Sequence, residues 1–384
     1  MNALNSNVTK NCSTLKCVEA LGWYKEPTGS IAFRLSIFCF VILCSLIGNF
    51  IVVKAIRERP HLRKPFPYFV VTSLAVAELI GTICLPFFQA YDDLMTWPFG
   101  DTMCRLINAF MLISYFVIPW SLATIAYLRF RTFSKRQIFF LSGKRIVFFM
   151  GLMWFCGCLV SAPTYIFALE VKTIYDNHSY WCIELFPGDT LHKHPSLSLR
   201  RYYFVRFVLN FALPGFIIVF AYGGVASKLK RHLIASTQQA HSDRDDGEPE
   251  PHTLSTINNT STSESLGNVA LGESVPSEAE SHTDIRQDER MSGDQLKEIE
   301  NDILRMIYIV ILIYVGCYVP YQVVFLMEYF GSALLKWKYY VIARKYVYLL
   351  TCFPSALHPV CYGTMSKFYA QVFSRLILCK KARR

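Results

Sequence analysis

Seven long apolar segments set the strongest limit on what this chain can fold into. Six contain no Lys, Arg, Asp or Glu, and they cover residues 35–53, 106–128, 146–169, 207–227, 306–327 and 346–366. A seventh, residues 66–91, is interrupted only by Glu78. About 20 residues of helix cross a hydrocarbon core of roughly 30 Å, whereas helices of a soluble protein would show a narrower apolar stripe. The sequence therefore predicts an all-α bundle of seven transmembrane helices.

Basic residues cluster in every second connection between the apolar segments and again after the last segment. Five Lys and Arg lie in residues 54–64, six in 129–145, three in 228–231 and six in 367–384. Clusters of this kind stay in the cytoplasm, so the N-terminus is predicted to lie outside the cell. The connection between the second and third segments agrees with this orientation, because it carries three aspartates. The fourth-to-fifth connection, on the same side, does not follow the pattern, because it ends in basic residues.

Several residues on the predicted outer side are candidates for covalent modification. Asn7, Asn11 and Asn177 head Asn-X-Ser/Thr sequons and are candidate glycosylation sites. Cys104 and Cys182 lie on the same oxidising side, where a disulfide would hold the fourth-to-fifth connection over the bundle.

Three further cysteines leave alternatives open. Cys12 and Cys17 either pair with each other or remain unpaired. Cys379 lies beside two lysines beyond the last segment, as a palmitoylation site does, and a free thiol is the alternative.

The connection between the fifth and sixth segments differs in composition from the rest of the chain. Residues 236–292 contain 16 Ser and Thr and few large apolar residues, which predicts a disordered loop. Residues 243–302 carry 16 Asp and Glu against 4 Lys and Arg, net −12, and the remainder carries 12 against 35, net +23. The overall charge of +11 is therefore the difference between a basic membrane body and an acidic loop, which favours lipid headgroups over nucleic acid as the partner of the basic surface.

Each apolar segment also carries a short motif. In chain order the motifs are Gly48-Asn49, Leu74 to Glu78 followed by Pro86, Trp97-Pro98-Phe99-Gly100 leading to Cys104, Arg129, Trp154 with Pro163, Pro214 with Tyr222, Cys317-Tyr318-Val319-Pro320, and His358-Pro359 followed by Tyr362. In this set and order, over residues 31–379, the chain resembles a rhodopsin-like (class A) G protein-coupled receptor, and most closely a neuropeptide receptor. Arg129 stands 25 residues after Cys104, at the spacing of that family's Asp-Arg-Tyr arginine.

The resemblance implies a set of residues that switch the receptor between inactive and active states. They are Arg129, Glu300, Tyr222, Tyr318, Pro320, Pro359, Tyr362, Glu78 and His358. Leu128 and Phe130 replace the acidic and tyrosine neighbours of the family's arginine, so we hypothesise that Glu300 is the carboxylate that pairs with Arg129. The alternatives are an interfacial anchor for Arg129 and a solvated charge for Glu300.

Glu78 and His358 replace two residues that the family places close together, an Asp and an Asn near a sodium site. The substitution puts sodium binding in doubt. A carboxylate facing an imidazole can share a proton, so the pair is either a switch linked to pH or activation, or a hydrogen-bonded structural pair.

Two positions of the resemblance disfavour an amine or retinal as the ligand. Met111 stands where the family's amine receptors have an Asp, and Cys352 where opsins have the retinal Lys. The predicted ligand-binding residues are Gln89, Met111, Arg206, Asn210, Tyr321, Gln322, Phe325 and Glu328. A basic outer rim favours an acidic peptide or a small anion; its members are Arg200, Arg201, Arg206, Lys336, Lys338, Arg344 and Lys345. Glu328 would instead suit a basic peptide side chain.

The chain is thus expected to comprise five parts. They are an extracellular N-terminal segment (1–30), helices one to five (31–232), a disordered acidic third cytoplasmic loop (233–295), helices six and seven (296–365), and a short amphipathic eighth helix with a cytoplasmic tail (366–384). The tail has no Ser or Thr beyond Ser374, so phosphorylation by receptor kinases and arrestin binding are expected in the loop, for which a plain solvated linker is the alternative.

The expected function is transmission of the binding of an extracellular ligand, a peptide, to heterotrimeric G proteins from the plasma membrane. No cofactor, metal or enzymatic activity is expected. The alternatives are an orphan or constitutively active receptor with a lipid or small anionic ligand and, from another class, a seven-span transporter or hydrolase. Against the last two, the sequence has no His-Glu-X-X-His motif and no inverted repeat.

Overall fold

The computed structural model describes residues 24–55, 66–135, 142–172, 180–189, 195–225, 227–228, 309, 312–330 and 337–365. The described helices belong to one compact unit, residues 1–225 and 302–384, and residues 226–301 form a second unit of which only two residues are described. The predicted third cytoplasmic loop and eighth helix therefore lie outside the described residues.

The first unit is a helical bundle, as the apolar segments predict. Its helices are α1 (Thr28–Ala55), α2 (Phe66–Leu94), α3 (Gly100–Lys135), α4 (Gly143–Phe167), α5 (Leu197–Val225), α6 (Tyr314–Tyr318 continuing into Val319–Phe330) and α7 (Tyr340–Met365). Of these described helices, α1 to α5 are long and apolar enough to cross a membrane. The longest of the described helices is α3. It is also more deeply buried than the peripheral helices, since 72% of its most apolar stretch is buried against 17% for α4 and α5.

Apolar side chains point outward from the peripheral helices as well as inward. Phe148, Phe155 and Leu159 on α4 are more than half exposed, as are Phe216 and Phe220 on α5. A helix that is apolar all round suits hydrocarbon on one side and protein on the other. This exposure explains why the sequence shows continuous apolar segments instead of stripes.

Two glycines allow helices to approach closely. A Cβ at Gly48 on α1 would lie 2.7 Å from the Cβ of Pro359 on α7. A Cβ at Gly224 on α5 would lie 2.6 Å from a ring carbon of Phe130 on α3. Real Cβ atoms do not come this near to other atoms, so the Gly48 of the first motif is needed for α1 to pack against α7.

Two π-helical segments lie just before helix prolines. Val208–Ala212 in α5 ends two residues before Pro214, and Tyr314–Tyr318 in α6 ends two residues before Pro320. A proline ring clashes with the carbonyl of the residue four positions earlier, and widening the turn relieves that clash. In α5 the Leu213 N–H donates to the Val208 carbonyl, and the Trp120 indole donates to the Leu209 carbonyl at 3.0 Å. The widened turn thereby ties α5 to α3.

A β-hairpin joins α4 to α5 and was not expected from the sequence. Its antiparallel strands are β1 (Ala168–Lys172) and β2 (Tyr180–Glu184), paired so that Glu170 faces Cys182. The predicted disulfide between Cys104 and Cys182 is present and anchors β2 to the start of α3. The Trp97 backbone N–H donates to the Tyr180 carbonyl at 2.8 Å. We call this end of the bundle the hairpin end.

The Trp97-Pro98-Phe99-Gly100 motif makes a tight turn at the hairpin end. Gly100 has φ of 81°, a backbone conformation that glycine adopts without strain. The turn allows the Trp97 indole to donate to the Gly100 carbonyl at 2.9 Å. Trp97 is completely buried, with the ring edges of Tyr91 and Phe99 packed against it. The motif is therefore a structural support for the hairpin.

Candidate ligand cavity and buried polar groups

A partly open cavity lies between α3, α5, α6 and α7, and its space together with the solvent at its mouth amounts to about 670 Å³. Its lining is mostly aromatic and aliphatic, with a few polar side chains, as is typical of small-ligand sites. The lining residues are Leu112, Tyr115, Ile118, Pro119, Arg206, Phe207, Asn210, Phe211, Tyr318, Tyr321, Gln322, Phe325 and Thr351. Five of the eight predicted ligand-binding residues are among them: Arg206, Asn210, Tyr321, Gln322 and Phe325.

The other three predicted ligand-binding residues do not line this cavity. Gln89 is buried and donates to Asp93 at 2.6 Å. Met111 is buried in the apolar cluster that contains Trp97 and Cys104. Glu328 accepts from the Tyr340 hydroxyl. Spacing from a proline or cysteine indicates the depth of a residue in the bundle but not the direction in which its side chain points, so spacing alone does not decide which residues line the cavity.

Arg206 is the charged residue of the cavity lining, and it already has a counter-ion. Its guanidinium lies 3.2 Å from Glu184 Oε1 at the end of β2 and over the rings of Tyr202 and Tyr203, 5.4 and 5.1 Å from their centroids. The Thr164 hydroxyl donates to the same carboxylate at 3.2 Å. Burial raises the pKa of the Glu184 carboxyl, and the positive charge of Arg206 opposes this rise.

Three of the seven residues of the predicted basic rim, Arg206, Arg344 and Lys345, form ion pairs in the structure. Arg344 on α7 pairs with Asp92 on α2 and lies 4.0 Å from Glu328 on α6. Lys345 on α7 lies 2.9 Å from Asp93 on α2. These ion pairs join helices far apart in the sequence, so counting cations along the chain overstates the positive charge available to a ligand.

A cluster of four charged residues joins α1, α2 and α7 at the hairpin end. Arg34 is completely buried and donates to Glu26 at 3.0 Å and to Asp93 at 2.7 Å. Lys345 contacts Asp93 at 2.9 Å and Glu26 at 3.8 Å. We call Glu26, Arg34, Asp93 and Lys345 the helix-end cluster. The sequence signal for it was available, since Arg34, Asp93 and Lys345 each stand one or two residues beyond an apolar segment at the same end of the bundle.

Glu78 and His358 meet in the middle of the bundle. His358 Nδ1 on α7 lies 2.8 Å from Glu78 Oε1 on α2, and both residues are buried. His358 Nε2 has no hydrogen-bonding partner within the described part of the chain. Asn49 of the first motif donates to the Ser355 carbonyl at 2.9 Å and thereby links α1 to α7 near the pair. The pairing expected from the sequence is therefore geometrically in place.

The other predicted switch residues are only partly described. Tyr318 lines the cavity within the π-helical segment of α6, and Pro320 follows it. Tyr222 is buried on α5, near the end opposite the hairpin. The side chains of Arg129 and Tyr362 and the whole of Glu300 lie outside the described structure. So do Asn7, Asn11, Asn177, Cys12, Cys17 and Cys379.

The described residues contain no group of three or more His, Cys, Asp or Glu able to hold a metal ion.

Comparison with known proteins matches residues 48–362 to the family described as 7 transmembrane receptor (rhodopsin family). Among curated proteins, similar relatives are neuropeptide Y receptor type 2 of Gallus gallus, 31% identical over 209 residues, and of Homo sapiens, 30% identical over 208 residues. These alignments cover 53% of this chain and 52 to 53% of the relatives. The chain thus spans about half the length of the curated relatives it matches.

Proposed function

The chain belongs to the rhodopsin family of seven-transmembrane receptors, and from this we infer that it transmits the binding of an extracellular peptide to heterotrimeric G proteins. Membership of the family makes it a multi-pass protein of the plasma membrane and a receptor, not an enzyme. Transmission here means that a ligand shifts the population between two arrangements of the helices.

The observation that carries the proposal is the contact between the cavity and the proline region of α6. Tyr318 lines the cavity and belongs to the π-helical turn that precedes Pro320. A helix bends most easily where a proline or a π-bulge interrupts its hydrogen bonds. A ligand that presses on Tyr318 therefore acts at the point where α6 deforms with the least loss of hydrogen bonding. The similar receptors are named for neuropeptide Y, which supports a peptide as the ligand class.

The proposed orientation places the hairpin end outside the cell. A disulfide at this end suits an oxidising compartment, and the Lys and Arg clusters of the opposite connections suit the cytoplasm. Antibody binding to an N-terminal epitope tag on intact, unpermeabilised cells tests the orientation. Staining that requires permeabilisation would contradict it. Glycosylation at Asn7, Asn11 and Asn177 belongs to the same proposal, and glycosidase digestion with Asn→Gln variants checks it.

At the opposite end we place the G protein site. Arg129, Tyr222 and Tyr362 are its proposed switch residues, and Glu300 is the proposed inactive-state partner of Arg129. Glu300→Ala should raise basal signalling at matched surface expression. Unchanged basal signalling would remove the proposed ion pair.

The third cytoplasmic loop is the proposed site for receptor kinases and arrestin. Its Ser and Thr lie among acidic residues, and the tail beyond Ser374 has neither. Deletion of residues 250–290 should abolish agonist-dependent arrestin recruitment and leave G protein activation in place. Normal recruitment by the deletion variant would assign the loop to a plain linker. The same proposal attaches Cys379 to membrane lipid through palmitate, which metabolic labelling of a Cys379→Ser variant checks.

The main test is a peptide screen in cells that express the receptor, with calcium and cyclic AMP as readouts. An active peptide should lose at least tenfold in potency against a Phe325→Ala variant, because Phe325 lines the cavity. Phe220→Ala is the matched control, since this phenylalanine on α5 is 68% exposed away from the cavity. Equal losses in both variants would contradict binding in the cavity.

One observation favours a second candidate, a receptor with high basal activity and a lipid or small anionic ligand. Leu128 is buried on α3 directly before Arg129, so the position provides no carboxylate to restrain the arginine. Leu128→Asp should lower ligand-free signalling. No change would leave the peptide-activated receptor as the better description.

A further inference from the structure

The cavity carries a cation whose charge is cancelled by the hairpin. Among the described residues that line it, Arg206 is the only one with a formal charge at neutral pH. Its guanidinium and the Glu184 carboxylate lie 3.2 Å apart with side chains 19% and 10% exposed, so the two charges face each other with little water between them. At this distance and burial an ion pair presents a dipole to its surroundings instead of a net charge.

The neighbouring ion-paired groups add no net positive charge. The helix-end cluster contains two carboxylates and two cations in mutual contact. At the α2, α6 and α7 ends, Arg344 contacts both Asp92 and Glu328. The other described cations of the basic rim, Arg200, Arg201 and Lys338, do not line the cavity.

The remaining polar groups of the cavity favour an uncharged ligand group. Asn210 Oδ1 is buried and has no hydrogen-bonding partner in the described part of the chain, and Gln322 and Thr351 also line the cavity. A ligand N–H or O–H can satisfy an amide oxygen without a net charge. The rest of the lining is formed by three aliphatic residues, Leu112, Ile118 and Pro119, and by six aromatic side chains: Tyr115, Phe207, Phe211, Tyr318, Tyr321 and Phe325.

We propose that Glu184 determines the ligand class of this cavity by cancelling the charge of Arg206, so that the cavity takes a neutral, largely apolar group with hydrogen-bond donors and disfavours carboxylate and phosphate. An anion near Arg206 would also lie near the Glu184 carboxylate and would be repelled by it. This inference rests on the proposed function, in which the cavity holds part of the extracellular ligand. It reverses the expectation of an acidic ligand that the basic residues alone suggest.

The hairpin positions the counter-ion. Glu184 ends β2, two residues after Cys182, and Cys182 is held by the disulfide to Cys104. The Thr164 hydroxyl on α4 holds the same carboxylate oxygen that accepts from Arg206. The disulfide and these two hydrogen bonds hold the carboxylate beside Arg206.

The charge inside the cavity can be measured without a known ligand. A reporter cysteine is introduced by Gln322→Cys in the full-length receptor. Its rate of modification by an anionic and by a cationic methanethiosulfonate reagent is followed by mass spectrometry of the peptide that contains residue 322. The rate with the anionic reagent is divided by the rate with the cationic reagent. This ratio, divided by the same ratio for a free thiol in solution, reports the sign of the local electrostatic potential.

We expect this normalised ratio to be within about threefold of one when Glu184 is present. Glu184→Gln should raise it at least about tenfold toward the anionic reagent, since an unpaired charge within several ångströms shifts local ion concentrations by that much or more. Glu170→Gln on β1 is the matched control and should leave the ratio unchanged. A ratio that already favours the anion with Glu184 in place, or one that Glu184→Gln does not change, overturns the proposal.

A second variant protects the test against misfolding of the first. The double variant Arg206→Gln/Glu184→Gln carries neither charge and should return the ratio to within about threefold of one, and a ratio that still favours the anionic reagent overturns the proposal. The peptide screen then separates this inference from the function on which it rests. If the ratios behave as expected and no ligand is sensitive to Phe325→Ala, charge cancellation stands and the proposed ligand site fails.

Discussion

Two buried polar sites connect α2 to α7, and they use different kinds of charge. Near the hairpin end, Asp93 pairs with Lys345, and Arg34 from α1 joins them. About 15 residues deeper along α2, roughly 20 Å at helical rise, Glu78 meets His358. Lysine and arginine stay charged at any physiological pH, whereas histidine is the side chain that changes charge between about pH 5 and 8.

The difference separates a permanent tie from one that can change. In the helix-end cluster each cation contacts two carboxylates, so loss of any one contact leaves others in place. The Glu78–His358 pair has one described contact between its side chains, so loss of that contact leaves none in its place. The bundle is therefore expected to be held firmly at the hairpin end and to rearrange more easily in the middle, nearer the prolines of α6 and α7.

The largest effect is expected from Arg34→Ala. Removing this buried cation leaves Glu26 and Asp93 short of positive charge, which costs about 3–5 kcal/mol when a buried partner is lost. Thermal unfolding of the purified receptor measures it. The control is Arg105→Ala, since Arg105 pairs with Asp101 at the surface and should matter by about 1 kcal/mol or less. Similar melting temperatures for the two variants would show that the helix-end cluster is not a firm tie.

His358→Asn should destabilise less, by up to about 3 kcal/mol, because it leaves the Glu78 carboxylate without its imidazole partner. Its diagnostic effect is on activation, because the pair joins α2 to α7 through one described side-chain contact. We expect ligand-free signalling of the variant to differ from that of the wild type at matched surface expression. Equal signalling would make Glu78–His358 a structural hydrogen bond and would remove the contrast with the helix-end cluster.

Gly48→Ala tests the packing of α1 against α7 beside the Glu78–His358 pair. The added Cβ would lie 2.7 Å from Pro359, the residue after His358, and must push α7 away from α1. Overpacking of this kind costs about 1–2 kcal/mol, measured as a fall in melting temperature. Gly151→Ala on α4 is the control, because no atom lies within 4 Å of a Cβ there. A tolerated Gly48→Ala would mean that α7 is free to shift at this level.

The smallest effect is expected from Tyr346→Phe beside the helix-end cluster. The Tyr346 hydroxyl lies 2.8 Å from the Ser30 hydroxyl and adds a neutral link between α1 and α7. Loss of one such hydrogen bond costs about 0.5–1.5 kcal/mol, so the melting temperature should fall slightly and signalling should not change. A loss as large as that of Arg34→Ala would show that the neutral link, and not the ions, holds this end.

Much of the bundle and part of the site could be read from the sequence. The apolar segments located the helices because crossing a hydrocarbon core is a requirement on consecutive residues. The Glu78–His358 contact and the Cys104–Cys182 disulfide followed from family motifs, whose positions in the fold are shared. The hairpin β1–β2 was missed because its strands are five residues each and carry no clear alternation.

The partners of the charged residues could not be read in the same way. No sequence motif marks Glu184, although it stands two residues after Cys182. From the sequence, Lys345 belongs to a basic rim, Asp93 to an acidic connection, and Arg34 stands as a single charge at the end of a segment. Their pairing depends on how far each helix is rotated about its axis, which the spacing of motifs does not specify.

The amino-acid sequence alone determined the seven helices, the family and the separation of a basic membrane body from an acidic loop, because these depend on local composition and on motif order. The tertiary structure decided which charges remain available. Arg206 is a free cation in the sequence and half of an ion pair in the fold, because the disulfide and the hairpin bring Glu184 to 3.2 Å from it. Electrostatic interactions act through space, so the charge of a cavity is a property of the packed helices and not of the residue list.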